Sequence, residues 1–242
     1  MCPAVPLYGD VPVFHDWKPL ATCLSLFILA AVVGCNRGGE ENSSPTTSIG
    51  GSSDATPTEG GSSGPALHKP DSDPQHPVVL IETSLGNMTI RLDAEKAPLT
   101  VDNFLFYVDA GHYDQTIVHQ VYKEQGILCG GYGVNLVEKP ARTSIRNEAH
   151  NGLKNHRGTI AMVRQPDAID SATCQFFINV ADNPALDFKD RTPEGYGYCV
   201  FGTVAEGMET VDKITDTPVH DTTEFERTPI RPVIVKSVRR TR

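Results

Sequence analysis

A chain of 242 residues that is 39% hydrophobic and 21% charged holds enough apolar material for one good core and little for a second, so one domain with appendages is expected. Its formal net charge of -9 argues against nucleic acid, whose phosphates call for clustered Lys and Arg, and equally against attraction to an anionic membrane surface.

The first appendage is "ATCLSLFILAAVVGC", an uncharged apolar run that follows Lys18 and ends at Cys35. From Ala21 to Gly34 it spans about 14 residues, short of the roughly 20 that a membrane-crossing helix needs and suited to a signal-peptide hydrophobic region. Its ending, "VVGC", resembles the bacterial lipobox, which implies cleavage before Cys35 and a diacylglycerol on its sulfur. The alternative is an ordinary secretory signal with an incidental cysteine. From Asn36 to Pro77 the sequence is rich in Gly, Ser, Thr and Pro with almost no apolar residue. Such a segment cannot bury enough surface to offset its ordering entropy, and a flexible tether follows. At about 5 to 6 Å times the square root of its length, it holds the domain roughly 35 Å from its anchor. The expected organisation is leader 1–34, tether 35–77 and folded domain 78–242.

From Val78 onward the punctuation is that of short strands. "VVLIET" and "NMTIRLD" flank "SLG" as a hairpin, with Met88, Ile90 and Leu92 alternating against Thr89 and Arg91. "APLTVDNFLFYVDAG" places Val101, Phe104, Leu105 and Val108 at helical spacing, between Pro98 and Gly111. Further strands are read in "TIVHQVY", "GTIAMVR", "TCQFFINV", "YCVFGTVA" and "PVIVKSV", and a second helix in "GMETVDKIT". Many strands with only two helices predict a closed antiparallel barrel, which removes exposed edges.

Two features bear on chemistry. In "TCQFFINV", strand alternation puts Gln175 and Phe177 on one face and Phe176 and Ile178 on the other. An amide beside a ring suits the grip of a peptide backbone and a flat apolar side chain, although a hydrogen-bonded core Gln is the commoner reason for such a residue. Setting aside the leader's Cys2 and Cys23 and the anchor Cys35, only Cys129, Cys174 and Cys199 remain, an odd number with no CxxC spacing, so no metal site is expected; the three allow one disulfide, while Cys174 and Cys199 sit in apolar strand patterns where buried free thiols are the ordinary outcome.

The stretch "NEAHNGLKNHRGTIAMVRQPDAIDSATCQFFINVADNPALDF", followed by "GYGYCVFGTVAEGMETVDKI", resembles the cyclophilin family of peptidyl-prolyl isomerases, and within it the compact bacterial branch. The likeness runs from about Val78 to Val238. It implies an eight-stranded closed antiparallel barrel capped by two α-helices. It also implies catalysis without nucleophile, metal or cofactor. Rotation about an X-Pro bond meets a barrier of about 18 to 20 kcal/mol, because the amide loses resonance. Lowering it takes an apolar pocket for the ring, hydrogen bonds to the flanking backbone, and a donor that stabilises the twisted prolyl nitrogen more than the planar one.

In the family that donor is an arginine following the histidine of an "FHR" stretch; here the residues are Val118, His119 and Gln120. With the glycine pair Gly130 and Gly131 aligned, Ile127 falls in the pocket wall and Cys129 at the position of a backbone-gripping amide, and the interval from His119 is one residue longer than the family's. On the other wall Gln175, Phe177, Leu186 and Phe201 stand where the family builds its proline pocket, with Tyr198 at a polar aromatic position and Ala185 where many eukaryotic members carry tryptophan. Met162, Val163 and Arg164 are expected along the bound peptide, Arg164 mainly through its backbone. The resemblance implies an isomerase acting on proline-containing segments, with activity reduced by the loss of the arginine; together with the leader and Cys35, the expectation is a monomeric, exported, lipid-anchored enzyme whose substrates are other exported proteins. The alternative is a non-catalytic module that binds proline peptides or another partner.

Overall fold

The computed structural model describes residues 73–241; the expected leader, the Cys35 anchor and most of the expected tether lie outside the described residues. The chain opens on a hairpin of β1 (Val78–Thr83) and β2 (Gly86–Leu92), followed by α1 (Pro98–Asp109). It continues through β3 (Thr116–Tyr122), β4 (Gly126–Gly133), β5 (Thr159–Met162), β6 (Phe176–Asn179), β7 (Val200–Glu206) and α2 (Met208–Thr215). The short β8 (Val219–His220) and β9 (Thr228–Pro229) precede the closing β10 (Val233–Arg240). Eight strands close into a barrel in the order β1-β10-β3-β4-β6-β5-β7-β2, while β8 and β9 pair with each other. All barrel pairings are antiparallel.

The barrel interior is filled by every second residue of its strands. Met88, Ile90 and Leu92 of β2 turn inward, as their alternation predicts, and share one core with Ile160, Phe176, Ile178 and Phe201. Both helices close onto this core, α1 through Val101, Phe104, Leu105 and Val108 and α2 through Val211 and Ile214. The Phe104 ring touches Tyr113, Phe176 and Phe201 at centroid distances of 5.2, 5.4 and 5.2 Å. Offset and edge-on contacts of this kind add about 0.5 to 1.5 kcal/mol each beyond area burial.

Helix α1 begins at a proline and has no side-chain cap of its own. Its open N–H groups are met by Glu148, whose carboxylate accepts from Leu99 N at 3.2 Å, Thr100 N at 2.9 Å and Thr100 Oγ1 at 2.7 Å. A buried carboxylate at the positive end of a helix is favourable on both hydrogen-bonding and dipole grounds. This gives the acidic residue of "NEAHN" a structural role. Cys129, Cys174 and Cys199 are free and buried, and burial pushes the Cys199 thiol up to about 12.

Candidate active site

Register across four strand pairings defines one row on the outer face of the barrel. Gln120 of β3 lies opposite Leu128 of β4, Leu128 opposite Phe177 of β6, Phe177 opposite Ala161 of β5, and Ala161 opposite Val200 of β7. Leu128, Ala161, Phe177, Val200 and Leu186 form one apolar cluster, with Tyr122, Leu153, Val163 and Tyr198 packed against it. This cluster is separate from the barrel interior, and Gln120 ends its row.

The flanking turns are fixed by a buried amide network. Asn179 Nδ2 donates to Asn155 Oδ1 at 3.2 Å and to Thr159 Oγ1 at 2.8 Å, and Asn183 Nδ2 donates to Asn179 Oδ1 at 2.6 Å and to Gln125 O at 2.8 Å. Asn155 Nδ2 in turn donates to Leu186 O at 3.0 Å. The single helical turn Pro184–Leu186 and the β3–β4 turn are thereby tied to the end of β6, which sets Leu186 beside Phe177. Buried and mutually satisfied amides of this kind fix one geometry, because any unmade bond costs more than the bond contributes.

The structure divides the residues expected at the site. Phe177, Leu186, Tyr198 and Val163 belong to the outer cluster. Ile127, Cys129, Met162 and Phe201 instead face the barrel interior. Strand parity is the reason: Leu128, one residue from both Ile127 and Cys129, is the one that meets Phe177 across the sheet, Ala161, next to Met162, meets Phe177 from β5, and Val200, next to Phe201, stands opposite Ala161. The interval after His119 is absorbed by shifts in β3–β4 register and by a bulge at Gly130, whose φ is +98°. A Cβ at Gly130 would stand 2.9 Å from the Cys174 carbonyl oxygen, so only glycine fits there.

Gln175 is half-buried, and its side chain lies over Gly131, where a Cβ would meet its Cγ at 2.6 Å. Burial pushes the Tyr132 phenol up to about 12, Glu138 adds to the rise, and a hydrogen bond with Gln175 opposes it. The Gln175 amide oxygen is buried with no donor bonded to it among the described residues. Gln120, 7% exposed, donates from Nε2 to the Tyr122 hydroxyl at 2.9 Å.

Arg164 does not offer a free cation to the site. Its Nε donates to Gly197 O at 2.9 Å, Nη1 to Gln165 O at 2.9 Å and Pro166 O at 2.7 Å, and Nη2 to Pro193 O at 2.6 Å. It holds the turn before Tyr198, with its Cζ 5.1 Å from the Tyr198 ring centroid.

His119 is placed away from the outer cluster. It is fully buried between Tyr132 and Phe225, at ring distances of 4.9 and 5.2 Å. Burial drives its pKa down from 6.5 to about 3. The unfolded chain thus takes up a proton below pH 6.5 that the folded chain refuses until about pH 3. Stability from this residue is complete above the higher value and falls through that window, by up to about 1.4 kcal/mol per pH unit. Urea midpoints of the wild type between pH 7 and 4 should fall more steeply than those of His119→Phe, whose carboxylates titrate in common; equal slopes would contradict this.

With this geometry in view, comparison with known proteins is specific. Residues 78–240 match the family model described as cyclophilin type peptidyl-prolyl cis-trans isomerase/CLD. Peptidyl-prolyl cis-trans isomerase A of Dickeya dadantii is 43% identical over 161 residues, covering 66% of this chain and 83% of the relative. Peptidyl-prolyl cis-trans isomerase B of Escherichia coli K12 is 44% identical over 161 residues, covering 66% of this chain and 98% of the relative. Among solved structures, a Cryptosporidium parvum cyclophilin type peptidyl-prolyl cis-trans isomerase, crystallised in the presence of the dipeptide Ala-Pro, superposes with a TM-score of 0.56 at 25% identity, over 68% of this chain and 99% of that one. The chain belongs to the cyclophilin-type peptidyl-prolyl cis-trans isomerase family, whose model matches the whole barrel from β1 to β10.

Proposed function

We propose that this chain is a peptidyl-prolyl isomerase of the cell envelope, exported by its leader and tethered by a lipid on Cys35, that turns over proline-containing segments of other exported proteins slowly. The observation that carries the reading is the outer row itself: an apolar cluster around Phe177 that ends, at the position of the family's cation, in the neutral Gln120. The cluster takes the proline ring. The Gln175 amide oxygen, buried and with no donor bonded to it among the described residues, accepts from a substrate backbone N–H once the site opens. Gln120 supplies the donor for the prolyl nitrogen.

Only an interaction stronger in the twisted state than in the planar one accelerates the reaction. A neutral amide gives roughly half of a charge-assisted bond, and loss of one such donor typically costs about 10²- to 10³-fold in rate. Turnover is therefore retained but lowered. In a protease-coupled isomerisation assay, the full chain in detergent should accelerate cis-to-trans conversion of an Ala-Pro peptide with kcat/KM roughly 10- to 10³-fold below that of the Escherichia coli relative measured beside it. Parity would remove Gln120 as a loss, and no acceleration at all would favour the non-catalytic binding module, the reading that the neutral residue also supports.

A further inference from the structure

The geometry points to Tyr122 as a gate over the proline pocket, latched by Gln120 and Arg227, that sets substrate access in this chain. This rests on the pocket reading above. The outer cluster is closed as it stands: Phe177 and Leu128 are each 1% exposed, and Ala161, Val200 and Leu186 are also buried. A proline ring can reach Phe177 only if one of the covering side chains gives way. Two tyrosines are among those packed on the cluster, and each has an arginine over its ring.

The two arginines differ in how they are held. The one over Tyr198 is Arg164, whose four carbonyl bonds fix it in the loop. Tyr198 is itself anchored, its N–H donating to Leu186 O at 2.9 Å and its ring standing edge-on to Phe177 at 5.7 Å. It is a fixed wall. Over Tyr122 lies Arg227, Cζ 5.2 Å from the ring centroid, with an exposed guanidinium that makes no ion pair or hydrogen bond among the described residues.

The backbone of Arg227, by contrast, is clamped. Its N–H donates to Asp221 Oδ1 at 2.9 Å and its carbonyl accepts from Val121 N at 3.0 Å, which together hold the residue at φ +53°, a region rarely occupied by a residue with a side chain. The preceding turn is nailed down by Phe225, buried against His119 and Tyr132. A fixed strap thus delivers a releasable cation to the outer side of the Tyr122 ring. Tyr122 is the last residue of β3, followed by the exposed Lys123 and Glu124, and directly across the ladder stands Gly126, which has no side chain to brace the ring. The hydrogen bond from Gln120 completes the latch. Gln120 therefore has two effects: it is a weak donor, and it keeps Tyr122 over the pocket.

A gate lowers apparent affinity by the fraction of time it is open and acts on KM more than on kcat. In the full chain assayed with an Ala-Pro peptide, Tyr122→Ala should lower KM by roughly tenfold, with a smaller change in kcat. Tyr122→Phe, which loses the bond from Gln120, and Arg227→Gln, which loses the cation over the ring, should each lower KM by less. Thermal melts accompany all four proteins. A Tyr122→Ala protein that melts like the wild type but has the same or a higher KM would overturn the gate and make Tyr122 a wall that touches substrate. Should Tyr122→Ala fail to fold, an unchanged KM in both Tyr122→Phe and Arg227→Gln overturns it equally. Absence of both binding and turnover in the wild type and every variant would defeat the pocket reading, and the gate with it.

Discussion

Gln120→Arg is expected to raise kcat/KM toward an Ala-Pro peptide by roughly 10- to 10³-fold. Gln120 ends the in-register row that runs through Leu128 to Phe177, so a guanidinium at this position starts from the edge of the apolar cluster. A positive donor there acts mainly on the prolyl nitrogen of the twisted bond, whose lone pair is free only once amide resonance is lost. The substitution also breaks the bond to the Tyr122 hydroxyl, so a second variant is needed to separate charge from access. Gln120→Ala breaks that bond without adding charge. The ratio of kcat between the Arg and Ala variants then measures the cation, and the fall in KM common to both measures the gate. Rescue should be partial, because the shifted register of β3 and β4 displaces the end of the strand and about 1 Å of misplacement costs on the order of 10²-fold. Equal kcat in the Arg and Ala variants would show that charge at this position does no catalytic work.

Phe177→Ala carries the second large effect, and it falls on stability and binding together. The ring is 1% exposed, packed with Leu128, Ala161, Leu186 and Val200 and edge-on to Tyr198. Truncation leaves a cavity that should cost about 3 to 5 kcal/mol of folding stability. In the protein that remains folded, affinity for an Ala-Pro peptide should drop by about 1.5 to 3 kcal/mol, the scale of burying one aromatic side chain. Phe177→Leu keeps most of the packing volume and costs less stability, so binding can be read there on a sound fold. Unchanged affinity in a Phe177→Leu protein that melts normally would mean that proline does not dock on this cluster.

Much of this architecture is legible in the sequence. Alternation in "NMTIRLD" gives the buried face of β2, and helical spacing in "PLTVDNFLFYVD" gives that of α1. The same alternation divides Phe176 from Phe177 between the interior and the outer face. Parity also explains the misplacement of Ile127 and Cys129. Alignment by the glycine pair counts back through the Gly130 bulge, and one residue of slip exchanges the faces of a strand. Strand β4 itself is hard to read in "GILCGGYG", because four glycines imitate a loop and only the neighbours on β3 and β6 make it a strand. The relation between Tyr122 and Arg227 has no local signature at all, since 104 intervening positions of chain separate two residues that meet only after the barrel closes.

Exchange NMR on a labelled Ala-Pro peptide with a substoichiometric amount of the full chain tests most directly whether the outer face around Phe177 engages and rotates the X-Pro bond. Spontaneous interconversion takes tens to hundreds of seconds and gives no exchange peaks on the NMR timescale. Cis–trans exchange peaks should appear with the wild-type protein, strengthen with Gln120→Arg and vanish with Phe177→Ala. Peptide signals that show no exchange with either the wild type or Gln120→Arg, in proteins that melt as folded barrels, would contradict it.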